Sequence, residues 1–322
     1  MTDFTVAIPT YNGAERLPLV LDKLGSQIVV EGLSWEAIVV DNNSNDDTAE
    51  VVKTYQKQWN YPFPLRYCFE PQQGLAFARQ KAVTEAKGEL IGFLDDDNLP
   101  EANWVAAGYK FGQSHPKVGA YGSKIVGDFE VTPPENFNRI ATFLALIDRG
   151  KSAKLYDSKK KMFPPGAGLI VRKSVWLENV PAKLMLSGRV AGKMLASEDL
   201  EALRYIQGGG WEIWYNPEMV VHHLIPKGRL EKEYLMKLCY GIGLASYPTR
   251  TINLSLWQKP IFWGAYLVND LRKILLHIFK YGKEVKNDPV VASEMQFFVG
   301  RLMSPFYFLG VVLRGDRSSK GS

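Results

Sequence analysis

Three consecutive carboxylates, Asp95-Asp96-Asp97, follow directly on the apolar run Leu90-Ile91-Gly92-Phe93-Leu94. Side by side they repel, so burying them without a cation is costly. In an extended segment Asp95 and Asp97 point to the same side. Two hard oxygen ligands on one side suit Mg2+ or Mn2+, ions that fill the rest of their shell with phosphate and water. An ion so held would neutralise a diphosphate leaving group. The competing reading is a solvated acidic cap on a helix beginning near Pro100; placement at the end of an apolar strand favours chemistry.

Other residues of chemical interest lie in the second half of the chain. Glu198 and Asp199 follow Ser197, a plausible N-cap, and acids in a first helical turn suit the helix dipole without any chemistry. His222-His223 ends a strand, where neighbours face opposite sides, so at most one serves a metal or a phosphate. Phe163-Pro164-Pro165-Gly166-Ala167-Gly168 precedes another apolar strand. Its small residues allow a substrate close to the backbone, although a plain Pro-Gly turn would look the same. Lys227 and Arg229 suit a phosphate clamp or, equally, a solvated surface.

These residues must be positioned by elements, and the first 115 residues alternate strand and helix. Strands are predicted over 5–8, 36–40, 65–69 and 89–94. Helices are predicted over 14–27 and 74–87, each with apolar residues on one side, and from about 45 to 58, where Asn45, Asp46 and Asp47 supply capping oxygens. Such alternation implies a mainly parallel sheet covered on both faces, and ligands of open α/β sheets bind outside the carboxyl ends of the strands. Pro9–Asn12, Asp41–Asn43 and Asp95–Asp97 all fall at such ends. Beyond residue 116 the spacing predicts strands over 118–126 and 167–171 and a helix over 197–207. Two further strands, 211–215 and 219–223, are separated by an Asn216-Pro217 turn. The last hundred residues read as helical.

Composition sets limits. With 46% hydrophobic residues the chain is no disordered polymer. A net charge of +5 fits an anionic small ligand or an anionic membrane surface and does not argue for nucleic acid. Cys68 and Cys239 form no CxxC pair, so buried, reduced thiols are expected, and with them a cytoplasmic setting. The N-terminus lacks the basic and apolar regions of a secretory signal.

Taken together, Ile8-Pro9-Thr10-Tyr11-Asn12, Val40-Asp41-Asn42-Asn43 with the following Ser44–Thr48, Gly74-Leu75-Ala76-Phe77-Ala78-Arg79 and Phe93-Leu94-Asp95-Asp96-Asp97 resemble the inverting family-2 glycosyltransferases of GT-A fold in order and spacing. The resemblance spans residues 4–225. It is closest to the bacterial exopolysaccharide branch, and the helical tail is similar to hormogonium-type polysaccharide transferases. It implies an α/β GT-A fold with a C-terminal helical extension. The nucleotide-sugar half would span 1–115, the acceptor and catalytic half 116–228, and the helical region 229–322.

The resemblance also implies roles. Pro9, Tyr11 and Asn12 would line the nucleobase and ribose pocket. Asp41, with Asn43 beside it, would accept a hydrogen bond from the base, which favours uracil first and guanine second, since both carry a ring N–H. Arg79 and Asp96 would help to hold the nucleotide, Asp95 would reach the ribose, sugar or metal, and Asp97 would bind the metal. Val221-His222-His223 matches the family's Val-x-His pattern and points to His223 as a further ligand. Gly166, Ala167 and Gly168 would line donor sugar and acceptor. Asp199 would be the general base, preferred to Glu198 because helix neighbours differ in direction by about 100° and only one can face the cleft. Competing readings make Tyr11 a core aromatic and Arg79 an exposed helix cation.

The expected partners are a UDP- or GDP-sugar and a glycan or lipid-linked acceptor. Trp257, Trp263, Tyr266, Arg272, Lys273, His277 and Lys280 mix aromatics with cations, as helices in a membrane interface do. That reading would place the protein peripherally on the inner face of the plasma membrane. A helical cap or a dimer contact accounts for the same residues. A sugar-nucleotide pyrophosphorylase is disfavoured, because Pro9–Gly13 is not a Gly-rich phosphate loop. A non-catalytic nucleotide-sugar binder or membrane scaffold of a polysaccharide assembly complex is the alternative, and it would need neither base nor metal pair.

Overall fold

The computed structural model describes residues 2–157, 162–188, 195, 197–255 and 257–318, with 311–318 described by backbone only. The elements run β1 (Phe4–Thr10), α1 (Leu17–Gly25), β2 (Trp35–Asp41), α2 (Thr48–Gln58), β3 (Leu65–Phe69), α3 (Leu75–Glu85), β4 (Leu90–Phe93), β5 (Asn98–Pro100), α4 (Trp104–Ser114) and β6 (Val118–Phe129). Then follow β7 (Lys154–Leu155), β8 (Ile170–Arg172), α5 (Lys173–Asn179), α6 (Glu198–Gly208), β9 (Glu212–Ile225), α7 (Lys232–Leu244), α8 (Ser246–Thr251), α9 (Gln258–Tyr281), α10 (Glu284–Asn287) and α11 (Pro289–Ser318). Two compact units emerge. One comprises Met1–Asp128, Ala145–Val190 and Glu198–Ile225; the other comprises Phe129–Leu144, Ala191–Ser197 and Pro226–Ser322.

The first unit is built on a nine-stranded sheet of order β3-β2-β1-β4-β8-β6-β9-β5, with β7 beside β9. Strands β1 to β4 are mutually parallel, as the strand–helix alternation predicts. The second half of the sheet is antiparallel, with β8 against β4 and β6, and β9 against β5 and β7. β1 is buried along its whole length because helices cover both faces. Leu17, Val20, Leu21 and Leu24 form the buried stripe of α1. α3 carries alanines at 76, 78 and 82 on its inward side. Small residues let a helix lie close to the sheet, and that closeness draws the adjacent Arg79 inward.

The structure departs from four local expectations. Asp95–Asp97 is not extended. The backbone turns at 96–97, closed by Asn98 N–H donating to the Asp95 carbonyl at 3.0 Å, and β5 begins at once. No helix starts near Pro100; α4 begins at Trp104, so the acids do not cap it. Asn216-Pro217 does not end a strand, because β9 runs through it. β7 pairs with Trp214 and Tyr215, β5 pairs from Val221 onward, and Pro217 falls between these two ladders. The Glu218 N–H is met by the Asn216 side chain at 3.1 Å. Both cysteines are free, and Cys68 is half-buried rather than buried.

In the second unit α7 and α11 pack against each other, with α9 and α8 alongside α11. Among the described residues no helix is long and apolar enough to cross a membrane.

Candidate active site

The carboxyl ends of β1, β2 and β4 supply the first half of the site. Pro9 sits inside β1, opposite Val40, beyond the last β1–β4 pair at Ala7↔Phe93. Its missing N–H therefore costs the β4 ladder nothing. Asn12 and Asn43 have φ of 51° and 62°, left-handed values that asparagine tolerates better than most residues. The Asn12 side chain accepts the Asn45 N–H, and its own N–H donates to Ser44 Oγ, so two strand-end loops are stitched together. Tyr11 is 39% exposed at this rim and is not a core aromatic. Asp41 is buried; Oδ1 accepts the Ser44 N–H at 2.9 Å and Oδ2 the Tyr67 hydroxyl at 2.8 Å. Burial, with the bond to Asp41, pushes the Tyr67 phenol up.

The three aspartates divide their work. Asp96 accepts the Thr10 hydroxyl at 2.6 Å and a two-nitrogen fork from Arg16, both bonds at 2.9 Å. Its carboxylate is thus largely used within the protein, bracing the turn against β1 and α1. A Cβ at Gly13 would lie 2.8 Å from Asp96 Oδ2 and 2.0 Å from Thr10 Oγ1, so this brace requires glycine. Asp97 is buried, with Oδ1 accepting from Asn98 Nδ2 at 3.0 Å and lying 3.6 Å from His223 Nε2. The β5–β9 register causes that approach, because His223 pairs with Asn98 and the Leu224 N–H donates to the Asp97 carbonyl. His222, on the opposite face, meets Glu101 at 3.3 Å.

Asp95 points the other way, to Arg79 Nη2 at 3.4 Å, and Arg79 Nη1 donates to Glu198 at 2.7 Å. Arg79 is 3% exposed, so it is no surface cation. It is a buried bridge between Asp95, just after β4, and Glu198 on α6. Burial pushes the Glu198 carboxyl up to about 7 against the pull of Arg79, with Asp199 adding to the rise. Desolvation also raises Asp95, opposed by Arg79 and assisted by Asp97 and Asp96.

Glu198 and Asp199 take different partners, Glu198 the Arg79 guanidinium and Asp199 the backbone at Gly166. Asp199 Oδ2 accepts the Gly166 N–H at 2.5 Å and Oδ1 the Leu200 N–H at 2.7 Å. Gly166 lies against the guanidinium; a Cβ there would sit 2.2 Å from Arg79 Nη2. The chain enters α6 at Ser197 with φ of 97°, a strained value for serine that re-aims the first helical turn. Ala167 is buried, and Gly168, at φ 64°, accepts the Ser123 hydroxyl on its carbonyl at 2.6 Å.

One connected path therefore runs within a single unit from His223 and Asp97, through Asp95 and Arg79, to Glu198, Asp199 and Gly166. Among the described residues no three His, Cys, Asp or Glu side chains enclose an ion by themselves. Asp97 and His223, a carboxylate and an imidazole that converge, fit an ion whose remaining shell comes from phosphate and water. Lys227 and Arg229 lie in the second unit, on the 3-10 turn Lys227–Leu230.

Sequence reading missed Arg16, Thr10, Tyr67 and Asn98. Only Asn98 carried a local signal: an Asn after three Asp and two before a Pro is turn chemistry.

The glycosyl transferase family 2 model matches residues 5–177. Glycosyltransferase AglE of Haloferax volcanii is 29% identical over 160 residues, 49% of this chain and 45% of that protein. An uncharacterized Bacillus subtilis glycosyltransferase, YfnE, is 35% identical over 103 residues, which is 25% of its length, so the chain spans less than half of either relative. Succinoglycan biosynthesis protein ExoM of Rhizobium meliloti is 23% identical over 241 residues, 74% of this chain and 72% of that protein. Among solved structures, a mannosyltransferase of Pyrobaculum calidifontis with GDP-Man and Mn2+ has a TM-score of 0.58 at 19% identity, covering 94% of this chain and 86% of that one. Staphylococcus aureus TarS with UDP-GlcNAc has a TM-score of 0.53 at 14% identity, covering 96% and 92%. The fold is GT-A, and the chain belongs to glycosyl transferase family 2.

Proposed function

We propose that this chain moves a hexose-type sugar from a nucleotide-diphosphate donor to a glycan or lipid-linked acceptor, with inversion, in cell-surface or extracellular polysaccharide synthesis. UDP-sugars are the first candidates and GDP-sugars the second. The observation that carries this reading is the Arg79 bridge, which brings the Asp95–Asp97 turn and the Glu198–Asp199 pair into one ion network. Binding of UDP-GlcNAc by TarS and of GDP-Man with Mn2+ by the mannosyltransferase supports the donor class. ExoM, named for succinoglycan biosynthesis, supports the polysaccharide setting.

Asp97 and His223, with Asp95 nearby, would hold Mn2+ or Mg2+, which supplies charge neutralisation to the departing diphosphate. Asp41 offers an acceptor for the ring N–H of the base, between the loops carrying Tyr11, Asn12 and Asn43. Asp199, oriented by the N–H groups of Gly166 and Leu200, takes the proton of the acceptor hydroxyl as that oxygen attacks the anomeric carbon. Glu198 holds Arg79 and sets the approach of α6. The Gly166–Gly168 loop lies against the sugar and acceptor. In this scheme residues 1–115 bind the donor, 116–228 carry acceptor and catalysis, and 229–322 make peripheral contact at the inner face of the plasma membrane.

Incubation with a panel of nucleotide sugars, with and without Mn2+, tests the proposal. The expected result is metal-stimulated release of UDP or GDP and a product of inverted anomeric configuration. A product that retains the donor's configuration would rule out single displacement.

A further inference from the structure

A helix on a bundle in water turns its apolar side inward. α9 does the reverse. Its two buried residues are Asp270 and His277, while Ile261, Val268, Leu271, Leu275, Leu276 and Phe279 are exposed, Phe279 by 91%. At 100° per residue, Ile261, Val268, Leu275 and Phe279 fall within a sector of roughly 40°, and Asp270 and His277 lie on the far side.

The inversion is built into the bundle. Asp270, 1% exposed, is held by Arg250 of α8 at 2.8 Å and by Arg301 of α11 at 2.6 Å. A ring nitrogen of His277 meets the Val291 carbonyl at 3.0 Å. Rotating α9 to bury its leucines would strand a carboxylate and two guanidinium groups, so the apolar face stays outward.

Charge selects what covers it. Residues 226–322 carry 15 Lys and Arg against 7 Asp and Glu, so this region nets +8 while the whole chain nets +5. Arg272 and Lys280 are exposed on α9 itself, and Lys283 follows just after. A second copy of the chain would set these cations against their own kind. No described helix can cross a bilayer, and a helix with an apolar face and flanking cations lies in the interface plane instead.

We propose that the outward face of α9 docks on an anionic lipid surface. The inference rests on the peripheral membrane contact proposed above and names the helix face and the lipid chemistry. Its test is co-sedimentation of the full chain with phosphatidylcholine vesicles, with and without phosphatidylglycerol, at low and high salt. The comparison is L275E/F279E, two exposed changes whose folding is checked by circular dichroism. Expected are binding to the anionic vesicles that weakens with salt, and a loss of about tenfold or more in the variant. Equal binding by the variant, or equal binding to both vesicle types, overturns the proposal. So does a lipid-free dimer that the variant abolishes while vesicles stay unbound. Nucleotide-sugar turnover measured without vesicles keeps the two readings apart, since it should be the same in wild type and variant.

Discussion

Replacing Arg79 by methionine removes the cation that bridges Asp95 and Glu198. Arg79 and Glu198 have side chains 4% and 6% exposed and meet at 2.7 Å, so solvent screens their attraction little. Taking one partner from such a buried pair costs about 3–5 kcal/mol, because the other is left as an uncompensated charge. The loss should depend on pH. Arg79 is what restrains the rise of the Glu198 carboxyl, so without it that group binds its proton still more tightly in the folded protein. A folded state that holds more protons than the unfolded one loses stability as pH rises. R79M should therefore be markedly less stable than wild type at pH 8 and much closer to it at pH 5, read by urea unfolding in EDTA. The double variant R79M/E198Q should recover much of the deficit at pH 8, since a neutral amide tolerates burial without the cation. A deficit below about 1 kcal/mol at both pH values, or strictly additive single variants, would refute the bridge.

Two further outcomes follow from the same network. Wild type should lose stability relative to E198Q as pH rises from the ordinary 4.5 of a glutamate to about 7. The contribution is full below that window, amounts to about 3 kcal/mol at 1.36 kcal/mol per unit, and is checked by unfolding at several pH values. H223A, which removes one of the two converging groups, Asp97 and His223, should raise the Mn2+ concentration needed for thermal stabilisation by roughly ten- to a hundredfold, while stability in EDTA changes little.

Much of this was legible because strand–helix alternation has a strong period and polar residues at strand ends stand out against apolar runs. Asp41, Asp95 and Asp97 announce themselves for that reason. What escaped was direction. α3 is rich in alanine and has no sharp apolar face, so nothing in its spacing says that Arg79 turns inward. The turn at Asp96–Asp97 depends on Asn98, whose side chain accepts the Asp95 N–H at 3.2 Å and donates to Asp97, a bond pattern that composition does not encode. Pro217 inside β9 falls between the β7 and β5 ladders, which is a property of the assembled sheet. The inverted polarity of α9 was half visible as mixed aromatics and cations. Only burial shows which side is which.

Asp199, joined to Gly166 at one edge of the acidic network, is the group asked to take the proton. Turnover and donor affinity of D199N, measured with the same nucleotide sugar and Mn2+, test it most directly. Transfer should fall about a hundred- to ten-thousandfold while the nucleotide dissociation constant stays near that of wild type. Transfer within about threefold of wild type would contradict the assignment, because a general base cannot be dispensable at that level.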